Sequence, residues 1–367
     1  MISFTPTDDQ QMLVKTINEY ANGEMRTAAH EADEHSELPT AVVRQGWEIG
    51  VLPVSVPDAY GGLGDHSVLT NALAAEEFAY GDLALALAVY APGLIGLPVM
   101  LSGTDQQKQD LLPPLLEATP PSFTAALIEP GISFDPHQLK TTATRDGDDY
   151  LLSGAKCMVP QLAESRLALV YARDSESGQV DGYLIERHEA GFNVGDREQL
   201  MGIRALPTYA LTLQNVRVPG VCKLGGAPGT NFPRLMSHSR VAMAAMAVGV
   251  ARGAYEYARK YAKERIQFGA PIATRQAIAF MLAEMAIEVD AARLLVWEAA
   301  WKLDTAAKAD VTTESYLAKE YADKAVMTVT DGAVQVLGGH GYIREHPVER
   351  WLRNARGFAT FDGLAMA

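Results

Sequence analysis

The sequence contains few of the residues that mark secreted, metal-binding or nucleic-acid-binding proteins. Only two cysteines occur among its 367 residues, and the spacing of Cys157 and Cys222 fits neither a disulfide framework nor a metal site, which is typical of a reducing compartment. Basic residues are also scarce, because 31 Lys and Arg stand against 45 Asp and Glu. The formal net charge of −14 disfavours nucleic acid and anionic membrane surfaces as partners. An anionic ligand would need a local cluster of Arg side chains or helix N-termini.

Long uninterrupted apolar runs are missing as well. The first ten residues lack the basic region and the apolar run of a signal peptide. The most apolar stretch, residues 83–101, contains two prolines and two glycines, which a membrane-spanning helix of about 20 residues rarely carries together. We interpret this stretch as buried protein core. We therefore expect a cytoplasmic protein that does not enter a membrane.

The pattern of residues changes twice along the chain. Helical periodicity with capping residues runs through the first third, apart from a Pro- and Gly-rich stretch at 51–64 that predicts a loop. Short β-rich runs separated by turn residues occupy the centre, and long Ala- and Met-rich helical blocks follow. We predict an N-terminal helical domain at 1–121, a central β domain at 122–228 and a C-terminal helical domain at 229–367.

Three motifs in the last hundred residues suit a phosphate-bearing cofactor, although each has an ordinary structural alternative. In Arg265-Ile-Gln-Phe-Gly-Ala-Pro-Ile, the Arg and Gln can bind a diphosphate and its ribose, but helix C-termini also favour this composition. The glycines of Gln335-Val-Leu-Gly-Gly-His-Gly-Tyr permit close backbone approach to a ligand, or a simple helix stop. Residues 348–356 form a basic amphipathic helix shortly before Phe361-Asp-Gly, and alone they indicate only a solvated helix face.

The order and spacing of these motifs resemble those of the acyl-CoA dehydrogenases, which are flavoproteins. The resemblance covers essentially the whole chain, including Pro57-Asp-Ala-Tyr-Gly-Gly-Leu-Gly, Glu76-Glu-Phe-Ala, Glu129-Pro-Gly, Arg145-Asp-Gly-Asp-Asp-Tyr and Met201-Gly-Ile-Arg. It implies a mainly α fold with a central β domain, in which an N-terminal helical domain precedes a small β-barrel or sandwich domain and a C-terminal four-helix bundle. It also implies a homotetramer.

The resemblance further implies an oxidoreductase that converts an acyl-CoA thioester to a 2-enoyl-CoA. A base would remove the α proton while hydride leaves the β carbon for N5 of FAD, and electron-transfer flavoprotein would be the acceptor. The position of the family's catalytic Glu is occupied by Asp362. A carboxylate in an apolar pocket suits this role because the α proton is only weakly acidic, and hydrogen bonds to the thioester oxygen stabilise the developing enolate. The alternative is that Asp362 merely caps a turn before Gly363.

Other site residues follow from the resemblance position by position. Contacts with FAD across a subunit interface are implied for Arg265, Gln267, Phe268, Gln335, Gly338 and Gly339, and Met158 stands at the flavin wall. We assign substrate contacts to Phe134, to Gly363 and to Arg240, which would help to bind CoA or orient the loop that bears the base.

Several positions depart from the family pattern. Residues 128–135 have lost a Thr, a Gly and a Ser, and the aromatic flavin wall and a hydrogen-bonding Thr are replaced by Met158 and Pro160. Asp362 is also one methylene shorter than Glu. Three hypotheses remain: a working dehydrogenase with altered flavin tuning, a non-catalytic or half-site subunit that forms a hetero-oligomer with a paralogue, and a CoA-ester-binding protein without redox activity. The retained carboxylate favours the first.

Overall fold

A computed structural model describes residues 5–64, 66–132, 134–305 and 310–367. Residues 1–4, Asp65, Ser133 of the altered 128–135 segment, and residues 306–309 at the end of a predicted helical block therefore lie outside the described residues. Helices occupy the first part of the described chain, a β-sheet the middle and helices the remainder. This order is the α–β–α arrangement that the sequence pattern predicts.

Eight α-helices lie in the described part of the N-terminal region. They are α1 Asp8–Tyr20, α2 Arg26–His35, α3 Thr40–Glu48, α4 Val51–Ser55, α5 Val68–Gly81, α6 Leu83–Tyr90, α7 Gly93–Ser102 and α8 Asp105–Leu111. Helices α1 and α8 begin with capping boxes, in which Thr7 and Thr104 accept a hydrogen bond from the backbone of the third helical residue. The prediction of a loop at 51–64 is partly wrong, because α4 lies within this stretch. Pro53 falls in the first turn of α4, where its missing amide costs no helical hydrogen bond.

The apolar stretch at 83–101 is buried core, as predicted. It forms α6 and most of α7, whose axes are bent by 43°, and the residues from Leu83 to Val99 are almost fully buried. Within the described part of the chain, no single helix is long and apolar enough to cross a membrane.

The described residues of the central region form a seven-stranded sheet. Its strands are β1 Phe123–Ala126, β2 Thr142–Asp146, β3 Asp149–Pro160, β4 Leu167–Asp174, β5 Val180–Glu186, β6 Phe192–Arg197 and β7 Thr208–Pro219. The strand order is β1-β4-β2-β3-β7-β6, with β5 also paired to β4. Strand β4 runs parallel to β1 and β2, and the other pairings are antiparallel. The pairing of β3 with β7 shifts register between Lys156 and Val159, and this irregularity changes the direction in which Met158 points.

Long helices dominate the C-terminal region. They are α9 Phe232–Glu264, α10 Gln276–Thr305 and α11 Thr312–Leu337, followed by the short α12 Gly339–Tyr342 and α13 Val348–Ala355. A hairpin of β8 Ile266–Gln267 and β9 Ala270–Pro271 separates α9 from α10. Helix α9 packs against α5, α10 and α11. Gly249 allows the close approach to α5, because a Cβ there would lie 2.1 Å from the Glu76 carbonyl oxygen.

Buried ion pairs join the N-terminal and C-terminal helices. Arg252 on α9 lies 3.0 Å from Glu76 and 2.6 Å from Glu77, and Arg293 on α10 lies 3.0 Å from Glu76. The interpretation of the basic helix at 348–356 as a solvated face is wrong. Trp351 is buried there because α13 packs against α9 and α11.

Candidate functional site

The first cofactor motif folds into a tight hairpin after α9. Phe268 and Gly269 are the two turn residues, and both have positive φ values, of 52° and 79°. Two-residue hairpins favour such values because the turn then matches the twist of the strands. Arg265 and Gln267 consequently lie beside the end of α11, where Gly338 adopts φ 57° and ψ −129°, a conformation that only glycine tolerates readily.

Both motifs line a single open cavity of about 720 Å³. Arg265, Gln267, Phe268, Gly338 and Gly339 all contribute to its wall. Among the described residues, a Cβ built at either glycine would meet no atom within 4 Å, so the space beside this backbone is open. Gln335 differs from the expectation in its placement: it is exposed one turn earlier on α11 and does not line the cavity.

Two guanidinium groups supply positive charge to this cavity. The side chain of Arg265 makes no hydrogen bond or ion pair within the described parts of the chain, and it is therefore available to a ligand. Arg275, which the sequence interpretation missed, also lines the cavity and donates to the Phe268 carbonyl at 3.2 Å. The only feature of the sequence that could have indicated Arg275 is that it is a second Arg soon after the hairpin. Against a net charge of −14, this local pair suits an anionic ligand such as a diphosphate.

Asp362 lies on the turn that follows the last helical segment. It is half-buried, and in the described chain its carboxylate accepts no hydrogen bond and forms no ion pair. A turn-capping role is therefore not supported. The next residue, Gly363, has φ +76°, and its amide donates to Ser239 Oγ on α9 at 3.0 Å. A Cβ on Gly363 would lie 2.6 Å from Leu127 Cδ2, so glycine is required for this packing.

Helix α9 also places Arg240 near this turn, because Arg240 follows Ser239 in sequence. Arg240 is buried, and its guanidinium carbon lies 5.4 Å from the centre of the Tyr316 ring on α11. No ion pair of Arg240 occurs among the described residues. A buried guanidinium without a counter-ion is available to an anionic or polar ligand group. The sequence interpretation missed the contribution of Ser239, whose contact with Gly363 spans 124 positions.

A buried ion pair organises the β-sheet side of the candidate site. Lys156 Nζ lies 3.0 Å from Glu129 Oε1, and the Glu129 carboxylate also accepts from the amides of Lys140 and Thr141 at 2.7 and 2.8 Å. Burial lowers the pKa of Lys156 to about 8, although Glu129 opposes the change. Burial acts to raise the pKa of Glu129, but Lys156 and the amide hydrogen bonds outweigh it and lower the value. The pair fixes the start of the altered 128–135 segment.

The expected flavin-wall residues pack between the sheet and the helices. Met158 has φ +54°, and its amide donates to Glu198 Oε2 at 2.9 Å. Phe134 and Met158 are partly buried against the helical core, and Phe134 also contacts the cluster between the helices and the sheet. Pro160 provides no amide donor, and its carbonyl accepts from the Thr124 hydroxyl. Neither Met158 nor Asp362 lines the 720 Å³ cavity, so the structure groups the diphosphate-motif residues apart from the candidate base.

Comparisons with known proteins agree with this arrangement along the whole chain. Three domain models of one family match: "Acyl-CoA dehydrogenase, N-terminal domain" at residues 7–119, the "middle domain" at 124–216 and the "C-terminal domain" at 232–365.

Individual relatives cover nearly all of the chain. A 3-(aryl)acrylate reductase of Clostridium sporogenes is 33% identical, over 98% of this chain and 96% of its own. The caffeyl-CoA reductase-Etf complex subunit CarC of Acetobacterium woodii is 34% identical over the same shares. The solved structure of butyryl-CoA dehydrogenase from Megasphaera elsdenii matches with a TM-score of 0.89 and 32% identity, over 98% of this chain and 96% of that one.

Proposed function

The chain belongs to the acyl-CoA dehydrogenase family, and we propose that it is an FAD-dependent enzyme that converts an acyl-CoA thioester to a 2-enoyl-CoA, with Asp362 as the base. One observation carries this proposal. The carboxylate of Asp362 is half-buried without a partner among the described residues, on a turn that Ser239 holds against α9 beside the buried Arg240. A carboxylate in a structural role would have a hydrogen-bond partner.

The turn also provides a hydrogen-bond donor for the substrate. The amide of Gly363 is used by Ser239, whereas the amide of Asp362 donates to no acceptor in the described chain. This free amide can donate to the thioester oxygen and stabilise the enolate that forms when Asp362 takes the α proton. Bound FAD would supply the acceptor for the hydride that leaves the β carbon. Arg240 would bind the CoA portion or orient the turn.

The 720 Å³ cavity is the proposed site for the diphosphate end of FAD. Its two guanidinium groups and its exposed glycine backbone fit a diphosphate, because Arg and free amides are the usual phosphate ligands in proteins. Arg265, Gln267, Phe268, Gly338 and Gly339 would hold this end, whereas Gln335 does not line the cavity. Met158 would contact the flavin from the sheet side.

We further propose a homotetramer, with a hetero-oligomer containing a paralogue as the alternative. Phe280, Ile287 and Leu294 on α10 are exposed at intervals of seven residues, which gives one apolar stripe along the helix. Such a stripe is typical of a helix that packs against another subunit. Electron-transfer flavoprotein is the proposed electron acceptor, because the related CarC is named as a subunit of an Etf complex.

The direction of the reaction has two candidates. Two relatives at 33% and 34% identity are named as reductases, which favours enoyl-CoA reduction by the same residues as a second candidate function. Asp362 would then return a proton to the α carbon. Reduction of the bound flavin by a saturated acyl-CoA, compared with reoxidation of the reduced flavin by an enoyl-CoA or aryl-acryloyl-CoA, separates the two directions.

The experiment that tests the proposal is an anaerobic titration of the purified protein. We expect a yellow protein with about one FAD per chain that bleaches when an acyl-CoA from a panel of short, branched and aryl chains is added. A protein that binds CoA esters but never takes up FAD, alone or with a co-expressed paralogue, would contradict the proposal. In that case the CoA-ester-binding hypothesis would replace it.

A further inference from the structure

Two histidines stack on each other at the wall of the cavity of about 720 Å³. The ring of His340, on α12, and the ring of His346, in the loop after α12, have centroids 5.5 Å apart and planes that differ by 14°. Both side chains are partly buried, and His340 lines the cavity beside Gly339. The proposed contacts with the diphosphate include neither histidine. This stack is therefore an unexplained feature of the proposed cofactor site.

Helix α9 holds each imidazole through a tyrosine. The Tyr261 hydroxyl lies 2.7 Å from Nδ1 of His340, and the Tyr257 hydroxyl lies 2.8 Å from Nδ1 of His346. The two tyrosines are four residues apart on α9 and so lie on one face, which matches the stacking of the two histidines. Within the described residues, Nε2 of neither histidine makes a hydrogen bond. Nε2 of His340 is thus the ring nitrogen that remains for a ligand.

The tyrosine contacts are compatible with a neutral or a protonated ring. A tyrosine hydroxyl donates to a neutral Nδ1 and accepts from a protonated one, so the contact persists when the imidazole gains a proton. Imidazole is also the side chain whose ordinary charge change lies between pH 5 and 8. Two stacked cations repel each other, so the stack accommodates one added proton more readily than two. The geometry permits one proton to be added beside the cavity without loss of these contacts.

The charge that faces His340 depends on whether an anion is bound in the cavity. Arg265 and Arg275 line the same cavity, and their positive charges oppose protonation of His340 when no anion is bound. A diphosphate offsets both guanidinium groups and brings acceptor oxygens. A protonated imidazole donates a charge-assisted hydrogen bond to such an oxygen, which is stronger than the bond from a neutral ring. An anion in the cavity therefore favours a proton on His340.

The other segments around the stack supply no comparable change of charge. Helices α11 and α13 contribute uncharged side chains, which are Val336, Leu337 and Trp351. Burial and the charges of Tyr261 and Glu264 raise the pKa of Tyr257, so this hydroxyl stays neutral. In the loop that carries His346, Glu345 is exposed and Arg344 is paired with two carboxylates of α2, those of Asp33 and Glu34. These charges are the same with and without a ligand in the cavity.

We propose that His340 takes up a proton when an anion binds in the cavity and then donates from Nε2 to a phosphate oxygen, while Tyr261 and His346 hold its ring in place. This inference rests on the proposed function, in which the cavity holds the diphosphate end of FAD. The proton comes from the solvent to a ring nitrogen, and no bond of the ligand breaks or forms. Because the bound state holds more protons, the affinity for FAD falls as the pH rises.

The first test counts the protons taken up when FAD is titrated calorimetrically into the full-length apoprotein at pH 7, in two buffers of different ionisation enthalpy. An anion that raises the pKa of an ordinary imidazole by about one unit causes an uptake of about half a proton at this pH. We expect this value in the wild-type protein and almost no uptake in His340→Gln. His30→Gln, which removes an exposed histidine of α2, is the matched control and should keep the wild-type uptake. Wild-type uptake in His340→Gln would overturn the proposal.

The second test compares the affinity for FAD at pH 6 and pH 8 by flavin fluorescence. A rise of about one unit makes the wild-type affinity about five- to tenfold weaker at pH 8, whereas the affinity of His340→Gln should change by less than about twofold. Riboflavin lacks the diphosphate, so its affinity should be the same at both pH values. If His340→Gln does not fold, His340→Asn removes the same titrating group and should show the same loss of pH dependence.

The proton count also tests the two positioning residues. Tyr261→Phe and His346→Gln leave His340 in the protein but remove one of its two ring contacts each. Both variants should therefore take up fewer protons per FAD than the wild-type protein. Wild-type uptake in both variants would refute the positioning role of Tyr261 and His346.

These measurements keep the failure of this inference apart from the failure of the proposed function, because none of them requires turnover. A wild-type protein that binds no FAD at either pH refutes the proposed function and this inference with it. FAD binding with no proton uptake and with equal affinity at pH 6 and pH 8 refutes only the role of His340.

Discussion

Replacing Glu129 by Gln should strongly destabilise the sheet side of the protein. The Glu129 carboxylate accepts three hydrogen bonds, one from the Lys140 amide to Oε2 and two, from Thr141 and Lys156, to Oε1. The glutamine side chain has only one acceptor oxygen, so its NH₂ group must face one of the donors that the carboxylate of Glu129 now accepts from. The side chain of Lys156 is 0% exposed and would lose its counter-ion.

These losses set the expected magnitude. Removing one partner of a buried ion pair typically reduces the free energy of unfolding by about 3–5 kcal/mol, because the remaining charge is left uncompensated. We expect a loss in this range for Glu129→Gln. The double variant Glu129→Gln/Lys156→Met should recover part of it, because no buried charge then remains.

Urea denaturation and differential scanning calorimetry measure the effect. The matched control is Glu186→Gln, which removes the ion pair with Arg166 at 3.7 Å, in which the side chains are 63% and 58% exposed. Exposed pairs contribute about 0–1 kcal/mol, so the control should change little. A loss of less than about 1 kcal/mol in Glu129→Gln, similar to the control, would refute the assignment of the buried pair as a main support of this segment.

Three further predictions concern the two site regions and the pH dependence of stability. Arg265→Gln should weaken FAD binding by about 10- to 100-fold in fluorescence titrations of the apoprotein, because a charge-assisted hydrogen bond is worth about 1.5–3 kcal/mol. Riboflavin binding should not change in this variant, and FAD binding should not change in the exposed control Arg259→Gln. An equal loss of affinity for riboflavin would exclude a diphosphate contact. Gly363→Ala should reduce the free energy of unfolding by about 1–3 kcal/mol, because alanine is strained at φ +76° and contacts Leu127; an unchanged denaturation midpoint would contradict this. Burial lowers the pKa of His238 to about 4, from about 6.5 in the unfolded chain, so the unfolded state binds more protons between these two pH values. The free energy of unfolding should therefore fall as the pH drops from about 6.5 to 4, by up to roughly 3 kcal/mol in all. His238→Gln should reduce this dependence on pH, and an identical dependence in the variant would show that another group is responsible.

Local patterns in the sequence were sufficient to predict most of the helices. The capping residues Thr7 and Thr104 start helices as expected, because a cap depends only on residues three positions apart. The stretch at 51–64 was harder to predict, since Pro and Gly indicate a loop unless the proline falls in a first helical turn. In α4 the burial of Val51 and Leu52 favours the helix, and that burial depends on distant segments.

The candidate site shows the same limit more clearly. Arg265, Gln267 and Phe268 are neighbours in the sequence, so one hairpin brings them together. Ser239 is 124 positions from Gly363 and has no motif of its own, so nothing in its local sequence predicts the contact. The Phe358 carbonyl, four residues before Asp362, accepts a hydrogen bond from Lys319, which lies 39 positions earlier in the sequence. Contacts of this kind follow from helix packing, which residue spacing alone does not specify.

The rate of anaerobic flavin reduction in Asp362→Asn, compared with wild-type protein and Asp362→Glu at saturating acyl-CoA, tests the central claim most directly. We expect the Asn variant to be slower by about 10²- to 10⁴-fold, because it cannot accept the α proton. The Glu variant should stay within about 100-fold of the wild type, since it keeps a carboxylate displaced by one methylene. Flavin reduction at the wild-type rate in Asp362→Asn would contradict the assignment of Asp362 as the base.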